Sequence, residues 1–215
     1  FGGRALISPR GWYIVQSAEG GATISVNHGD RSGLAGGLLG MSVVESELTG
    51  FDRALVAGTW FMRDDETSCL LPTELAAGLG ISEDEVGTAV VQVFGRDFTV
   101  RGIVDEELVE QIFDLDGEIL TPVDFYIPEQ DAGVAKAVSE EATDSEFLAF
   151  LDPRDHLPAQ QVVYLPYRTL MDSGGELRSV ALKFNEGSEG LSLVQAFLER
   201  VETTLFAGFP EPDSG

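Results

Sequence analysis

Across residues 55–105 short apolar runs are cut at close intervals by glycines, and that order constrains the fold more than any other feature of the chain. Leu55-Val56-Ala57-Gly58-Thr59-Trp60-Phe61 reads as a strand. After an acidic turn, Cys69-Leu70-Leu71 leads into Pro72-Thr73-Glu74-Leu75-Ala76-Ala77-Gly78-Leu79-Gly80. Pro72 suits a first helical turn, where its missing N–H costs nothing, and Gly80 suits the left-handed position after the last turn. Glu85-Val86-Gly87 makes a further turn. Val91 and Val93 alternate with Gln92, and Gly95-Arg96 reads as the tight turn of an antiparallel hairpin returning through Phe98, Val100 and Gly102. None of these residues looks catalytic; the block specifies a fold.

The flanks are less uniform. Trp12-Tyr13-Ile14-Val15 and Ala22-Thr23-Ile24-Ser25-Val26 read as strands separated by the turn Glu19-Gly20-Gly21, while residues 34–44 are so rich in glycine that loop, strand and weak helix all remain open. Asp105 reads as an N-cap, with Glu106 and Glu107 in the first turn of a helix whose apolar face is Leu108, Val109, Ile112 and Phe113, stopped by Asp116-Gly117. Residues 132–151 have helical character inside an acidic stretch that ends at Pro153. Val162-Val163-Tyr164-Leu165-Pro166 and residues 179–184 read as strands around the turn Ser173-Gly174-Gly175. Leu193, Val194, Phe197, Leu198, Val201 and Leu205 then form one stripe of an amphipathic helix, ended by Gly208 and Pro210. The expected organisation is an N-terminal pair of strands (1–53), a central β-α-β-hairpin unit (54–123), an acidic insertion (124–160) and a closing strand–helix (161–215).

Charge excludes one class of function. Thirteen Lys and Arg against thirty-seven Asp and Glu give a formal charge of −24. Such a surface repels phosphate backbones and anionic headgroups, so nucleic acid is not an expected partner. Residues 106–160 alone hold fifteen acids against two bases, a net of −13, which is more than half of the excess. The ordinary reading is a solvated face; the sharper ones are a docking site for a basic partner or a loose divalent-cation site. Composition is otherwise globular, at 43% hydrophobic and 23% charged. Apolar runs fall far short of the roughly 20 residues that cross a bilayer. With neither a signal-peptide pattern nor an initiator methionine, the chain reads as a soluble domain excised from something longer. Cys69, the single cysteine, sits in an apolar run and reads as a small buried thiol.

No motif carries chemistry. Asp172-Ser173-Gly174-Gly175 resembles the nucleophile segment of trypsin-like proteases, but Met171 stands where a glycine precedes it there, and neither His28 nor His156 has the surroundings of an oriented base. Asp114-Leu115-Asp116-Gly117-Glu118 resembles part of a calcium loop; aligned on Asp116-Gly117, the outer ligand positions fall on Ile112 and Val123, so the EF-hand spacing fails. Asp114, Asp116 and Glu118 remain weak metal candidates, and no zinc spacing or phosphate loop is present. No catalytic or cofactor-binding residue is expected. The alternative to a non-catalytic domain is a secreted acidic calcium-binding or hydrolase-like one. Exposed aromatics at Trp12-Tyr13 and between Phe206 and Phe209 are the remaining lead, as anchors at a membrane interface or as core.

The ordered set Gly58-Thr59-Trp60-Phe61, Leu71-Pro72-Thr73-Glu74-Leu75-Ala76, Val86-Gly87, Phe98-Thr99-Val100-Arg101-Gly102-Ile103-Val104 and Val163-Tyr164-Leu165-Pro166 resembles the periplasmic core domain of MacB/FtsX-type ABC transporter permeases. The resemblance implies an α+β fold of mixed and antiparallel sheets with a few packed helices, divided into a porter-like part and a smaller mixed α/β part. It implies a domain inserted between the first and second transmembrane helices of a permease subunit, non-catalytic and extracytoplasmic. Such a domain relays movement driven by a separate ABC ATPase to a periplasmic adaptor or to a lipid, lipoprotein or peptide substrate, in a dimeric parent. Residues 34–44 are too glycine-rich for the amphipathic helix that the resemblance implies there, so the porter-like half is expected to be shortened or replaced.

Overall fold

The computed structural model describes residues 5–15, 23–114, 117–123 and 156–184. Its centre is built from three strands that are buried along their whole length: β4 (Gly37–Met41), β6 (Ser68–Pro72) and β9 (Val162–Pro166). Successive side chains of a strand point to opposite faces, and here both faces are apolar. Leu38, Cys69, Leu71, Val163 and Leu165 enter one core, whereas Leu39, Met41, Leu70, Val162 and Tyr164 enter a second. Near-continuous apolar runs of this kind belong to strands covered on both sides.

The other strands are β1 (Ala5–Ile14), β2 (Ile24–His28), β3 (Arg31–Ala35), β5 (Leu55–Gly58), β7 (Val90–Val93), β8 (Arg96–Val104) and β10 (Glu176–Phe184). They form one mixed sheet in the order β10-β1-β4-β9-β6-β8-β7-β2-β3, with β5 paired to β8 beside that path. β4 runs parallel to β9, and β6 runs parallel to β8; the remaining pairs are antiparallel. β3 lies at one end of the order and β4 inside it, yet only Gly36 separates them, its N–H bonded to Gln161 O at 2.7 Å. The sheet therefore curls back on itself around the first core. The α+β class is as expected.

Among the described residues four short helices pack on this frame: α1 (Glu45–Thr49), α2 (Thr73–Leu79), α3 (Glu106–Val109) and α4 (Tyr167–Asp172). α2 follows Pro72 and ends at Gly80, whose φ of 71° is left-handed. Its first amides are capped from elsewhere, because the Glu106 carboxylate accepts from Thr73 N at 3.1 Å and Glu74 N at 3.0 Å. α4 docks through Leu170 onto Gly40; a Cβ built on Gly40 would stand 2.7 Å from Leu170 Cβ. That close approach explains Gly40, while Gly36 and Gly37 lie against Leu157 instead; residues 34–44 resolve into the end of β3, the whole of β4 and the turn into α1.

Some local expectations shift. β1 and β2 do not pair with each other; β1 lies between β4 and β10, and β2 between β7 and β3. The hairpin turn is Phe94-Gly95 rather than Gly95-Arg96, with φ of 51° and 75°, since Val93 pairs with Arg96. α3 stops at Val109 because Phe113 is drawn into a bridge with Ile119. The turn at 19–21, the helical stretch 132–151, the helix at 193–205 and the aromatics at 206–209 lie outside the described residues.

Candidate functional site

Arg10 on β1 is a buried cation whose guanidinium makes three side-chain hydrogen bonds. Alternation along the strand turns Ser8 and Arg10 to the side that α1 covers. There the guanidinium meets Glu45, the first residue of α1, through two bonds, Nε to Oε2 at 3.0 Å and Nη2 to Oε1 at 2.9 Å. Ser8 Oγ adds a third donor to Glu45 Oε2 at 2.5 Å, and Arg10 Nη1 donates to Asp114 Oδ2 at 2.5 Å. Arg10 is 3% exposed, Glu45 0% and Asp114 25%. Burial alone would lower the Arg10 pKa. The hydrogen bonds and charge of Glu45, followed by those of Asp114, outweigh it and hold the guanidinium above its ordinary value. A forked pair of this geometry fixes orientation as well as charge. It ties β1, α1 and the segment after α3 into one unit.

A second polar cluster closes the base of the acidic segment. The chain turns at Gly117, with Asp114 N bonded to Glu118 O at 2.7 Å. Val123 bridges His156, and Leu157 N donates to Pro122 O at 2.8 Å. His156 Nδ1 donates to Thr121 O at 2.6 Å, and its Nε2 stands 3.0 Å from Glu118 Oε2. Val123 and His156, the described residues on either side of 124–155, thus lie side by side. Thr121 Oγ1 is buried with no hydrogen-bond partner among the described residues.

The three weak metal candidates do not meet here. Asp114 faces Arg10, Glu118 faces His156, and Asp116 lies outside the described residues. Among the described residues no three His, Cys, Asp or Glu side chains converge on a point that could hold a metal.

The residues weighed for hydrolysis are also occupied elsewhere. Ser173 Oγ donates to Thr169 O at 2.7 Å and accepts from Arg96 Nη1 at 2.9 Å, as the end of α4. His28 Nδ1 donates to Val90 O at 2.8 Å. Cys69 is fully buried, which pushes its thiol pKa up.

The acidic turn after β5 is a rigid projection. Gly58 has φ of 85°, and a side chain there would run into Arg101 O. Trp60 Nε1 donates to Val43 O at 2.9 Å, and Asp64 Oδ1 accepts from Val43 N at 2.7 Å. Arg101 binds Trp60 O at 2.8 Å and Glu66 at 3.3 Å, while α4 closes the base through Arg168 N to Asp64 O at 2.9 Å and Thr169 Oγ1 to Glu66 O at 2.9 Å. Met62 stands at the tip, 74% exposed. Trp12 is half buried against the second core, with Arg178 5.7 Å over its ring. Arg10 and Glu45 had no sequence signal: nothing in Pro9-Arg10-Gly11 or Val44-Glu45-Ser46 foretells a partner about 35 residues away.

No protein-family model and no curated protein matches the chain. Among solved structures it is similar to the periplasmic region of MacB from Actinobacillus actinomycetemcomitans, with TM-score 0.50 and 14% identity over 91% of this chain. The chain has the fold of the MacB periplasmic region. It spans 65% of that region's length. It is also similar, at TM-score 0.48 and 10% identity, to the extracellular domain of the noncanonic ABC-type transporter YknZ from Gram-positive bacteria; that match covers 92% of this chain and 76% of the other. No helix among the described residues is long and apolar enough to cross a membrane.

Proposed function

We propose that this chain is the extracytoplasmic domain of an ABC transporter permease subunit, with no catalytic site of its own. Beyond the MacB-like fold, one observation carries the reading: Ala5 at the start of β1 is the register partner of Phe184 at the end of β10. The first and last described residues lie side by side. A domain inserted between two consecutive membrane helices needs that adjacency, because both helices reach it from one side. In this reading an ABC ATPase in the cytoplasm drives the permease, and the domain carries the movement outward to an adaptor or to a lipid, lipoprotein or peptide substrate. The parent works as a dimer. The segment division 1–53, 54–123, 124–160 and 161–215 is proposed to be one of role: β1–β4 of the first segment share the frame with residues 54–123 and with β9 and β10, and the acidic residues 124–160 are those a partner recognises.

The test uses the full-length gene product in intact cells. The Met62→Cys variant carries a reactive thiol at the exposed tip, native Cys69 being buried, and the Met62 parent is labelled in parallel so that only the added signal is read. Labelling by a membrane-impermeant maleimide before lysis is the expected result. Labelling only after lysis places the domain on the wrong side and removes the proposal.

A further inference from the structure

Among the described residues Phe94 is the one non-glycine residue with a positive φ, 51°. It opens the two-residue turn Phe94-Gly95 of the β7–β8 hairpin, whose Gly95 has φ of 75°. Two positive φ angles make a turn that favours Asn, Asp or Gly at its first position, where a phenylalanine stores strain. Strain of this kind persists only where the surroundings hold it, and it gathers at switch regions. Phe94 does not serve its own turn, so a distant partner accounts for it.

That partner is β1. The Phe94 ring stands edge-on to Tyr13, with centroids 4.9 Å apart and planes at 61°. Just past the turn, Arg96 Nη1 donates to Ser173 Oγ at 2.9 Å. The Tyr13 ring in turn lies against Gly174, where an added Cβ would stand 3.6 Å from it. The hairpin tip thus meets both β1 and the turn that leads into β10, although β4, β9, β6 and β8 lie between β1 and β7 in the sheet. Side chains of the tip close the curl of the sheet from one side to the other.

The contact is thin and can part without cost to the strands. Phe94 is 48% exposed, and the Arg96–Ser173 bond faces solvent. Behind the tip, Val93 is paired with Val26 and Arg96 and buried in the first core. On the other side Tyr13 is paired with Leu38 of β4. Parting also relieves the strain at Phe94, which brings the closed and open states close in free energy.

We propose that the Phe94-Gly95 tip is a clasp: Phe94 on Tyr13 and Arg96 on Ser173 close together and open together, with the strands on both sides left folded. Under the permease reading above, on which this step rests, the clasp is the contact that a displacement of β1 and β10 opens, while the buried Arg10 fork holds.

Amide hydrogen exchange by NMR on the 215-residue chain tests it. In Phe94→Asn, exchange at Ser173, Gly174 and Gly175, whose N–H groups bond back to Leu170 and Met171, should speed up ~3–10-fold, the weight of one edge-on aromatic pair. The β7–β8 amides and the urea midpoint should hold or improve, since Asn-Gly is favoured in this turn. Arg96→Gln should act alike, and the double variant should exceed neither single one, the mark of parts that open as a unit. Phe94→Tyr should keep the parent exchange rates. The proposal is overturned by unchanged exchange at 173–175 in Phe94→Asn, by single effects that multiply in the double variant, or by faster exchange throughout with a lower urea midpoint. The maleimide labelling above reads sidedness and this exchange reads the clasp, so either can fail alone.

Discussion

Removing Glu45 tests whether the Arg10 network holds the fold together. In Glu45→Ala the Arg10 guanidinium loses two of its three bonds and Ser8 loses its acceptor, in a site where Arg10 is 3% exposed. Water cannot replace those partners without opening the contact between β1 and α1. Breaking a buried pair by removing one partner costs about 3–5 kcal/mol, because the remaining charge stays desolvated. Asp114 still faces Nη1, so the lower half of that range is expected. The whole stability of a domain is on the order of 5–15 kcal/mol, so the loss is a large part of it. With a urea slope of ~2 kcal/mol/M, the midpoint should fall by ~1.5–2 M at unchanged slope. Asp114→Asn, at a site 25% exposed, should cost only about 1 kcal/mol. The double variant Arg10→Met/Glu45→Leu should recover most of the loss, since a well-packed apolar pair matches or exceeds a buried ion pair. A Glu45→Ala loss below ~1 kcal/mol would refute the reasoning, since it would mean the guanidinium finds solvent or satisfies itself on Asp114.

Four further outcomes are expected. Gly40→Ala should destabilise by about 1–3 kcal/mol in urea unfolding, because the new methyl overpacks Leu170, which cannot move away without leaving Gly11 and Gly175. Thr121→Val should stabilise by about 1 kcal/mol, since it swaps a buried hydroxyl without a partner for a methyl of the same shape. Cys69 should not react with a chromogenic disulfide reagent in the native protein and should react fully in denaturant, as burial both blocks access and raises its pKa. The Glu85 pKa is lowered by the Ser82 backbone N–H and then by its hydroxyl. A depressed carboxylate contributes above its unfolded pKa and loses that contribution as pH falls through the folded value. Amide protection at Ser82 should therefore persist at neutral pH and decay only below about pH 4.3.

The parts of the fold legible in sequence were those set by local chemistry. Gly80 ends α2 and Asp105 caps α3 because a left-handed φ and a side-chain acceptor are properties of single residues. The buried strand β9 was visible as an apolar run, whereas Cys69-Leu70-Leu71, read only as an apolar run before the helix, proves to be the strand β6. What escaped was set by distant partners. Residues 34–44 could not be assigned, because the need for glycine at position 40 comes from Leu170, 130 residues further on. The helix expected through Phe113 was cut short by the bridge to Ile119 and by the pull of Arg10 on Asp114, which outweigh helical periodicity. The candidate ligands Asp114 and Glu118 had the right chemistry for a metal, but each faces a protein side chain instead, Asp114 the Arg10 guanidinium and Glu118 the His156 ring.

Under the proposed function, the adjacency of Ala5 and Phe184 and the position of Arg10 belong to one mechanical problem. If two membrane helices move together, they displace β1 and β10 as a pair, and that motion reaches the rest of the domain through whatever binds the pair. β1 is hydrogen-bonded to β4 from Arg10 onward, whereas its residues 5–9 have β10 as their strand partner. Arg10 therefore stands at the first residue of β1 where the pair joins the main sheet, and there its side chain also grips α1 through Glu45 and the 113–119 turn through Asp114. Backbone bonds alone would let that junction peel one residue at a time, since each contributes only ~1 kcal/mol net. A buried fork that must break as a unit raises the threshold for peeling. A displacement arriving from the membrane side then moves α1 and the root of the acidic segment with the sheet instead of fraying its edge.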